Sequence, residues 1–234
     1  MALPYVDTTL IVPTLNEEKN IGELLKIITR LYKGMQVIVA DDGSTDQTAR
    51  IVKAWNKKHK NVILLNRAKF QTKGLTASVI DAVKKTTTDY FVVIDGDLQH
   101  PPERIKDIVK KLRSGADIVA GYRKKVATDW PVHRRLMSEF ATLSGKLRLL
   151  LTGTSTTDIM SGFFGCRTFY FMQEYDRRPS SFVLGGYKVL FDLLKWAPKY
   201  TKLAEVGYIF GARLRGESKI STKHIILYGK SLVT

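Results

Sequence analysis

One cysteine, Cys166, is all this chain has, which excludes an internal disulfide. No cluster of cysteine and histidine has zinc-ligand spacing either. The lone thiol is read as a small buried hydrophobe, and its isolation points to a reducing compartment. Nowhere do 18 uncharged apolar residues run together, and the start, MALPYVDTTL, lacks the basic and apolar regions of a secretory signal, so no segment is expected to span a bilayer or direct export. A Walker A sequence and a GxGxxG element are both missing, which weighs against an ATPase and an ordinary dinucleotide dehydrogenase. Acidic residues are scarce as well: 22 Asp and Glu stand against 38 Lys and Arg, a formal charge of +16. The surplus is uneven. Residues 1–120 carry 19 basic and 14 acidic residues and residues 121–234 carry 19 and 8, so the second half is expected to meet an anionic partner: nucleic acid, phosphorylated lipid or a membrane surface.

What is present is a repeating alternation. With 44% hydrophobic residues and 234 positions, the chain has enough material for one α/β domain, and it is read as a single unit, 1–234. Apolar runs predict strands at Thr8–Val12, Gln36–Ala40, Val62–Leu65, Tyr90–Ile94 and Ile118–Ala120. Amphipathic stretches between them predict helices near Asn20–Tyr32, Asp46–Lys58, Gly74–Lys85 and Pro102–Arg113. Asn16 and Ser44 are read as helix caps, and Pro101 and Pro102 as a helix start. The pattern predicts a mostly parallel central sheet flanked by helices. After Ala120 two longer apolar stripes appear, one through Leu136, Phe140, Leu143, Leu147 and Leu150 and one spanning Phe182–Trp196. Each is read as an amphipathic helix that packs on the sheet or rests at a bilayer interface. The tail from His224 to Thr234 is either a short closing helix or the start of something longer.

The chemistry gathers where strands end. Parallel strands deliver their following loops to one edge, where open α/β sheets bind ligands. The first strand runs into Pro13, Asn16, Glu17 and Glu18, the second into Asp41, Asp42 and Ser44, the fourth into Asp95, Gly96 and Asp97, and the fifth into Gly121, Tyr122 and Arg123. Two acids at the end of an apolar strand suit a divalent cation, Mg2+ or Mn2+, whose remaining positions a substrate's phosphates can fill. Asp42 is read either as an acceptor for hydroxyls or base edges or as part of an Asx turn. Of Glu17 and Glu18, one can face a ribose or base while the other serves a helix end. Asp158 and Ser161, in TTDIMSGF, form a polar turn that either orients an acceptor or fixes the loop. Glu205 faces either the cleft or an arginine. The stretch Arg213 to Lys219 concentrates cations and Ser218 around Gly216, a loop able to close over phosphate oxygens, and Arg123 and Arg134 add to the basic half.

IVPTLNEEKNI at 11–21, VADDGSTDQT at 39–48, VVIDGDLQHPPE at 92–103, GYR at 121–123, DIMSGFFG at 158–165 and ARLRGESK at 212–219 together resemble the family 2 inverting glycosyltransferases, and within them the dolichyl-phosphate mannose synthases of the polyprenyl-phosphate glycosyltransferase group. The resemblance covers most of residues 6–220. It implies a GT-A-like nucleotide-sugar-binding fold, with residues 1–120 for the donor and 121–234 for the acceptor and a closing loop. It implies that Pro13, Glu17 and Asp42 contact the nucleotide, that Asp95, Asp97 and Gln99 hold Mg2+ or Mn2+ at the donor diphosphate, and that Arg123, Arg134 and Arg213 engage phosphate. Ser218 and Lys219 would belong to the closing loop, and Asp158 and Ser161 to the acceptor side. The implied reaction is a single inverting transfer of mannose from GDP-mannose to dolichyl or polyprenyl phosphate by a peripheral protein at the cytosolic membrane face. Leu15, Gly96 and Tyr122 depart from the tyrosine, alanine and serine common at those places in the family.

Other readings remain in view. UDP-glucose with the same lipid acceptor, extension of a glycan, and a non-catalytic membrane scaffold all suit parts of the pattern. A nucleic-acid-binding protein suits the charge, but no zinc finger, RNA-recognition aromatic motif or KH signature accompanies it and acids occupy the sheet edge, so no nucleic-acid partner is expected.

Overall fold

Within β1 (Thr8–Thr14) every residue is buried, and its side chains alternate between two cores. Leu10 and Val12 join one and Ile11 joins the other, as a strand with a side-chain period of two requires when both faces of its sheet are covered. The computed structural model describes residues 4–126, 142–151, 153–212 and 222–234. Seven strands form one sheet: β1, β2 (Gln36–Asp41), β3 (Val62–Asn66), β4 (Tyr90–Val93), β5 (Ile118–Val126), β6 (Phe164–Arg167) and β7 (Leu203–Phe210), in the order β3-β2-β1-β4-β6-β5-β7. All neighbours pair in parallel except β6, which is antiparallel to both β4 and β5.

The helices cover both faces. α1 (Ile21–Leu31), α2 (Thr48–Lys58) and α4 (Ile105–Arg113) bury Leu24, Ile28, Val52, Ile108 and Leu112 against Leu10, Val37 and Val92. α3 (Leu75–Val83), α6 (Thr168–Arg177) and α7 (Val189–Leu194) close the opposite face around Ile11, Phe91, Phe164, Phe171 and Phe191. Each large side chain so buried contributes about 1.5–3 kcal/mol. A helix α5, described over residues 142–150, and α8 (Thr222–Val233) pack beside this second core, with Arg148 Nε donating to Leu232 O at 3.2 Å.

Several expectations need correction. The fifth strand does not stop at Ala120 but continues to Val126, so Gly121, Tyr122 and Arg123 lie within a strand, paired to β7 and bulged between Arg123 and Lys125. Strands β6 and β7 add to the five expected. The stretch Phe182–Trp196 is not one helix. Its first half is irregular through Gly185 and Gly186, whose weak helix propensity interrupts it, and only Val189–Leu194 is α-helical. On the other stripe, Leu143, Leu147 and Leu150 point outward, 69%, 63% and 67% exposed, while Leu149 reaches the core. Leu136 and Phe140 lie outside the described residues. Ser44 does not cap α2, since its Oγ donates to Asp41 Oδ1 and accepts the Asn16 N–H. Nor does Asn16 cap α1: its Oδ1 accepts the Thr45 N–H at 2.8 Å.

Candidate active site

The antiparallel direction of β6 has a consequence for chemistry. At the edge where the parallel strands end, β6 begins, so the loop preceding it arrives beside the loops that follow β4 and β1. That preceding loop carries Asp158, Ser161 and Gly162. A Cβ placed on Gly162 would sit 3.2 Å from Asp95 Oδ2, and one on Gly96 would sit 3.2 Å from Thr14 and 3.4 Å from Glu17 Cγ. The tips of β1 and β4 and the loop entering β6 thus converge around Asp95.

Beyond β4 the loop is tightly wound. Leu98 adopts φ 63°, a left-handed conformation that costs a branched residue on the order of 1 kcal/mol and concentrates at functional sites. Asp97, 5% exposed, accepts the Gln99 N–H at 3.1 Å. Gln99 donates its amide to Gly211 O at 3.1 Å and accepts the Gly211 N–H at 2.8 Å on its own carbonyl. These bonds tie the loop to the end of β7, from which the chain enters residues 213–221. Arg213, Ser218 and Lys219, and also Arg134, lie outside the described residues.

Asp42 is not an open carboxylate. The Arg67 guanidinium bonds Oδ1, and the Gly74 N–H donates to Oδ2 at 2.7 Å. Gly74 takes φ 138°, and its missing Cβ would lie 2.5 Å from Leu184 O, so only glycine fits there. Burial pushes the Asp42 carboxyl above its usual range, against the opposing pull of the Gly74 N–H, Arg67 and Lys73. Arg67 is itself fully buried, with Nε to Asp81 at 2.9 Å and NH1 to Ser78 Oγ at 2.8 Å. The two glutamates divide. Glu18 accepts the Gln47 N–H at 2.9 Å, at the start of α2, while Glu17 accepts from Asn20 Nδ2 at 3.0 Å and flanks Gly96. Pro13 is buried in β1 beside Ala40.

On the other side stands a paired cation. Arg123 grips Asp158 in a fork, Nε to Oδ2 at 2.6 Å and NH2 to Oδ1 at 2.9 Å. Burial alone would raise the Asp158 carboxyl, but the bonds and charge of Arg123 outweigh it and hold the group below the usual carboxylate range. So held, Asp158 is a poor proton acceptor. Ser161 is 4% exposed, its Oγ bonded to the Phe163 backbone and Tyr208 OH, bonds that fix the loop. Glu205 accepts from Thr156 and Thr157 at 2.6–2.8 Å, bracing the same loop from β7.

Three residues escaped the reading of the sequence. Arg67 follows β3 as Asp42 follows β2, and that shared position at a strand end was a usable signal. Lys188, at the start of α7, donates its ammonium to Met160 O. Burial lowers its pKa to about 8, with repulsion from Arg123 adding to this and Asp158 and Asp95 opposing it. Nothing in the spacing around GGYK marked it. His100 belongs to a quoted motif but had no assigned role. It is 3% exposed, and burial drives its pKa down to about 4.

Comparisons with known proteins bear on family and fold. A dolichol-phosphate mannosyltransferase of Pyrococcus furiosus is 36% identical over 94% of this chain, which spans 61% of that relative's length. A protein of the same name from Saccharomyces cerevisiae is 32% identical over 97% of this chain and 86% of its own. The crystal structure of glucosyl-3-phosphoglycerate synthase from Mycobacterium tuberculosis, in complex with Mn2+, UDP and glucosyl-3-phosphoglycerate, superposes with a TM-score of 0.66 at 20% identity, over 97% of this chain and 77% of that one. A likeness at that identity speaks to the shared GT-A fold. Residues 9–174 match Glycosyl transferase family 2, and the chain belongs to that family.

Proposed function

We propose that this chain transfers mannose from GDP-mannose to dolichyl or another polyprenyl phosphate, with one inversion at the anomeric carbon, at the cytosolic face of a membrane. The observation that carries the proposal is the convergence of acidic strand ends and the Arg123–Asp158 fork at one sheet edge, in a chain related along most of its length to proteins named dolichol-phosphate mannosyltransferase.

Asp95, Asp97 and Gln99 are the residues that would hold a divalent cation. Two carboxylates and an amide make an all-oxygen set suited to Mg2+ or Mn2+, and the bond from the Gln99 amide nitrogen to Gly211 O assigns the oxygen end as the donor. Among the described residues no three His, Cys, Asp or Glu side chains gather for a metal, so a cation here would also need oxygens from the donor diphosphate and water. When bound, such a cation neutralises charge on the departing nucleoside diphosphate. Glu17, Pro13 and Asp42 line the donor side, and Arg67 keeps Asp42 fixed for a nucleotide's hydroxyls or base.

A phosphate monoester, with its second pKa near 6, is already largely ionised at neutral pH. It needs orientation and charge compensation more than a base, and Arg123 and Lys188 supply cationic donors beside the loop from Asp158 to Phe163. Asp158 aligns Arg123 and leaves the acceptor's proton alone.

Membrane approach is supported by the outward stripe on α5. Leu143, Leu147, Leu150 and Leu151 are exposed, as are Ile225 and Ile226 on α8, with Lys146 and Lys230 also exposed, a composition suited to an anionic lipid surface. No helix among the described residues is long and apolar enough to cross a membrane.

Incubating the purified chain with labelled GDP-mannose and a short polyprenyl phosphate tests the proposal, with UDP-glucose and UDP-N-acetylglucosamine as parallel donors. A mannosyl lipid is the expected product; transfer only to a free glycan, or only from a UDP-sugar, defeats the assignment. Asp97→Asn is expected to lower cation-dependent turnover by at least ~100-fold, and undiminished turnover in excess chelator would remove the cation from the mechanism.

A further inference from the structure

His100 occupies an unusual place for a polar ring. It stacks on Phe163, with centroids 5.5 Å apart and planes 30° apart, and meets the edges of Tyr208 and Phe210 at 5.5 and 5.2 Å. Three aromatic side chains would accommodate a phenylalanine as well. Instead the position carries an imidazole whose buried Nδ1 has no hydrogen-bond partner, an arrangement that is costly without a compensating role. One acceptor stands near: Asp95 Oδ2, 3.4 Å from Nδ1. Gly162 closes the other flank of that carboxylate, its Cβ position 3.2 Å from Oδ2 and 3.3 Å from Oδ1. The Asp95 side chain therefore stands in a slot with backbone on one wall and the imidazole on the other.

We propose that His100 is a positioning residue for the cation site: its Nδ1 faces Asp95 Oδ2 at 3.4 Å, and with a cation bound its N–H would donate to that oxygen and hold the carboxylate in place. This rests on the reading of Asp95 and Asp97 as cation ligands. The aromatic cage immobilises the ring, so the donor is set by packing before any ligand arrives. Ligating carboxylates are themselves commonly hydrogen-bonded from outside, and removing such an outer partner typically weakens metal affinity 10–100-fold. A hydrogen at Nδ1 is also what the geometry demands, since a lone pair there would face a carboxylate oxygen and be repelled by it.

Mn2+ uptake, followed by the loss of the free-ion electron paramagnetic resonance signal with and without GDP, tests the assignment apart from turnover. His100→Phe keeps the ring's shape and loses the donor, while His100→Asn restores an amide N–H near the place of Nδ1. His100→Phe is expected to bind Mn2+ ~10-fold or more weakly than the wild type, and His100→Asn to recover most of that loss. Wild-type affinity in His100→Phe, or equal losses in both variants, overturns the role of the nitrogen. Absence of Mn2+ binding by the wild type under both conditions removes the cation reading and this inference with it. By contrast, a wild type that binds, an Asp97→Asn variant that does not, and an unaffected His100→Phe leave the cation reading standing and defeat only His100. Should His100→Phe fail to fold, nitrogen NMR of the 15N-histidine-labelled wild type with Mg2+ decides the question: the Nδ1–H tautomer is expected, and the Nε2–H tautomer overturns the proposal.

Discussion

Arg67 and Arg123 perform the same service on opposite sides of the cleft, each taking a carboxylate that would otherwise stand charged and largely buried. Arg67 is the deeper, fully enclosed between Asp42, Asp81 and Ser78. Removing one member of a buried pair leaves its partner uncompensated, which typically costs 3–5 kcal/mol. Arg67→Met is expected to lose about that much in urea unfolding. His100 predicts a pH dependence. Its folded pKa, about 4, lies below the unfolded value of about 6.5, so between those limits the unfolded chain binds the extra proton and stability falls as the pH falls. Denaturation in chelator-containing buffer should show this acid-side loss, up to about 3 kcal/mol, and His100→Asn should lack it. At this scale the sequence was half legible. Strand ends identified Asp42, Asp95 and Asp97 as candidates, because a short apolar run ending in acid is visible in one dimension, and a polar turn identified Asp158. The partners were not visible: Ser44, Asn16 and Ser161 bond across loops far apart in the chain, and Lys188 reaches the cleft from a helix.

Among the elements, β1 to β4 and the helices that follow them matched the alternation of apolar runs and amphipathic stretches to within a few residues. Buried parallel strands must be continuously apolar, and that leaves a strong trace. β6 and β7 left a weak one. FGCR is four residues long, and LAEVGYIF carries a glutamate and a glycine, with several positions only half-buried. The stripe on α5 was legible as a pattern but not as a direction, since periodicity reports that one face is apolar without saying what it faces. Replacing Leu143, Leu147 and Leu150 together by Gln should abolish co-sedimentation with neutral phospholipid vesicles while leaving the melting temperature within a few degrees. A large drop in melting temperature would mean that these leucines face protein instead.

Across the whole molecule, charge and apolar surface make separable contributions to membrane approach. With a formal charge of +16, attraction to anionic headgroups should decline as salt shortens the screening length from about 10 Å at 0.1 M to about 3 Å at 1 M. Affinity for vesicles rich in anionic lipid is therefore expected to fall steeply over that range, and affinity for neutral vesicles to change little. An equal response in both would assign the attachment to leucine alone. The sheet itself sets one further dimension. By lying between β4 and β5, strand β6 sets those two strands apart by two spacings of about 4.8 Å, roughly 10 Å. Beyond its start, the loop that enters β6 fills the gap, with Gly162 against Asp95 and Asp158 against Arg123. The reversed strand is a spacer, and the loop it receives brings Arg123 a carboxylate of its own.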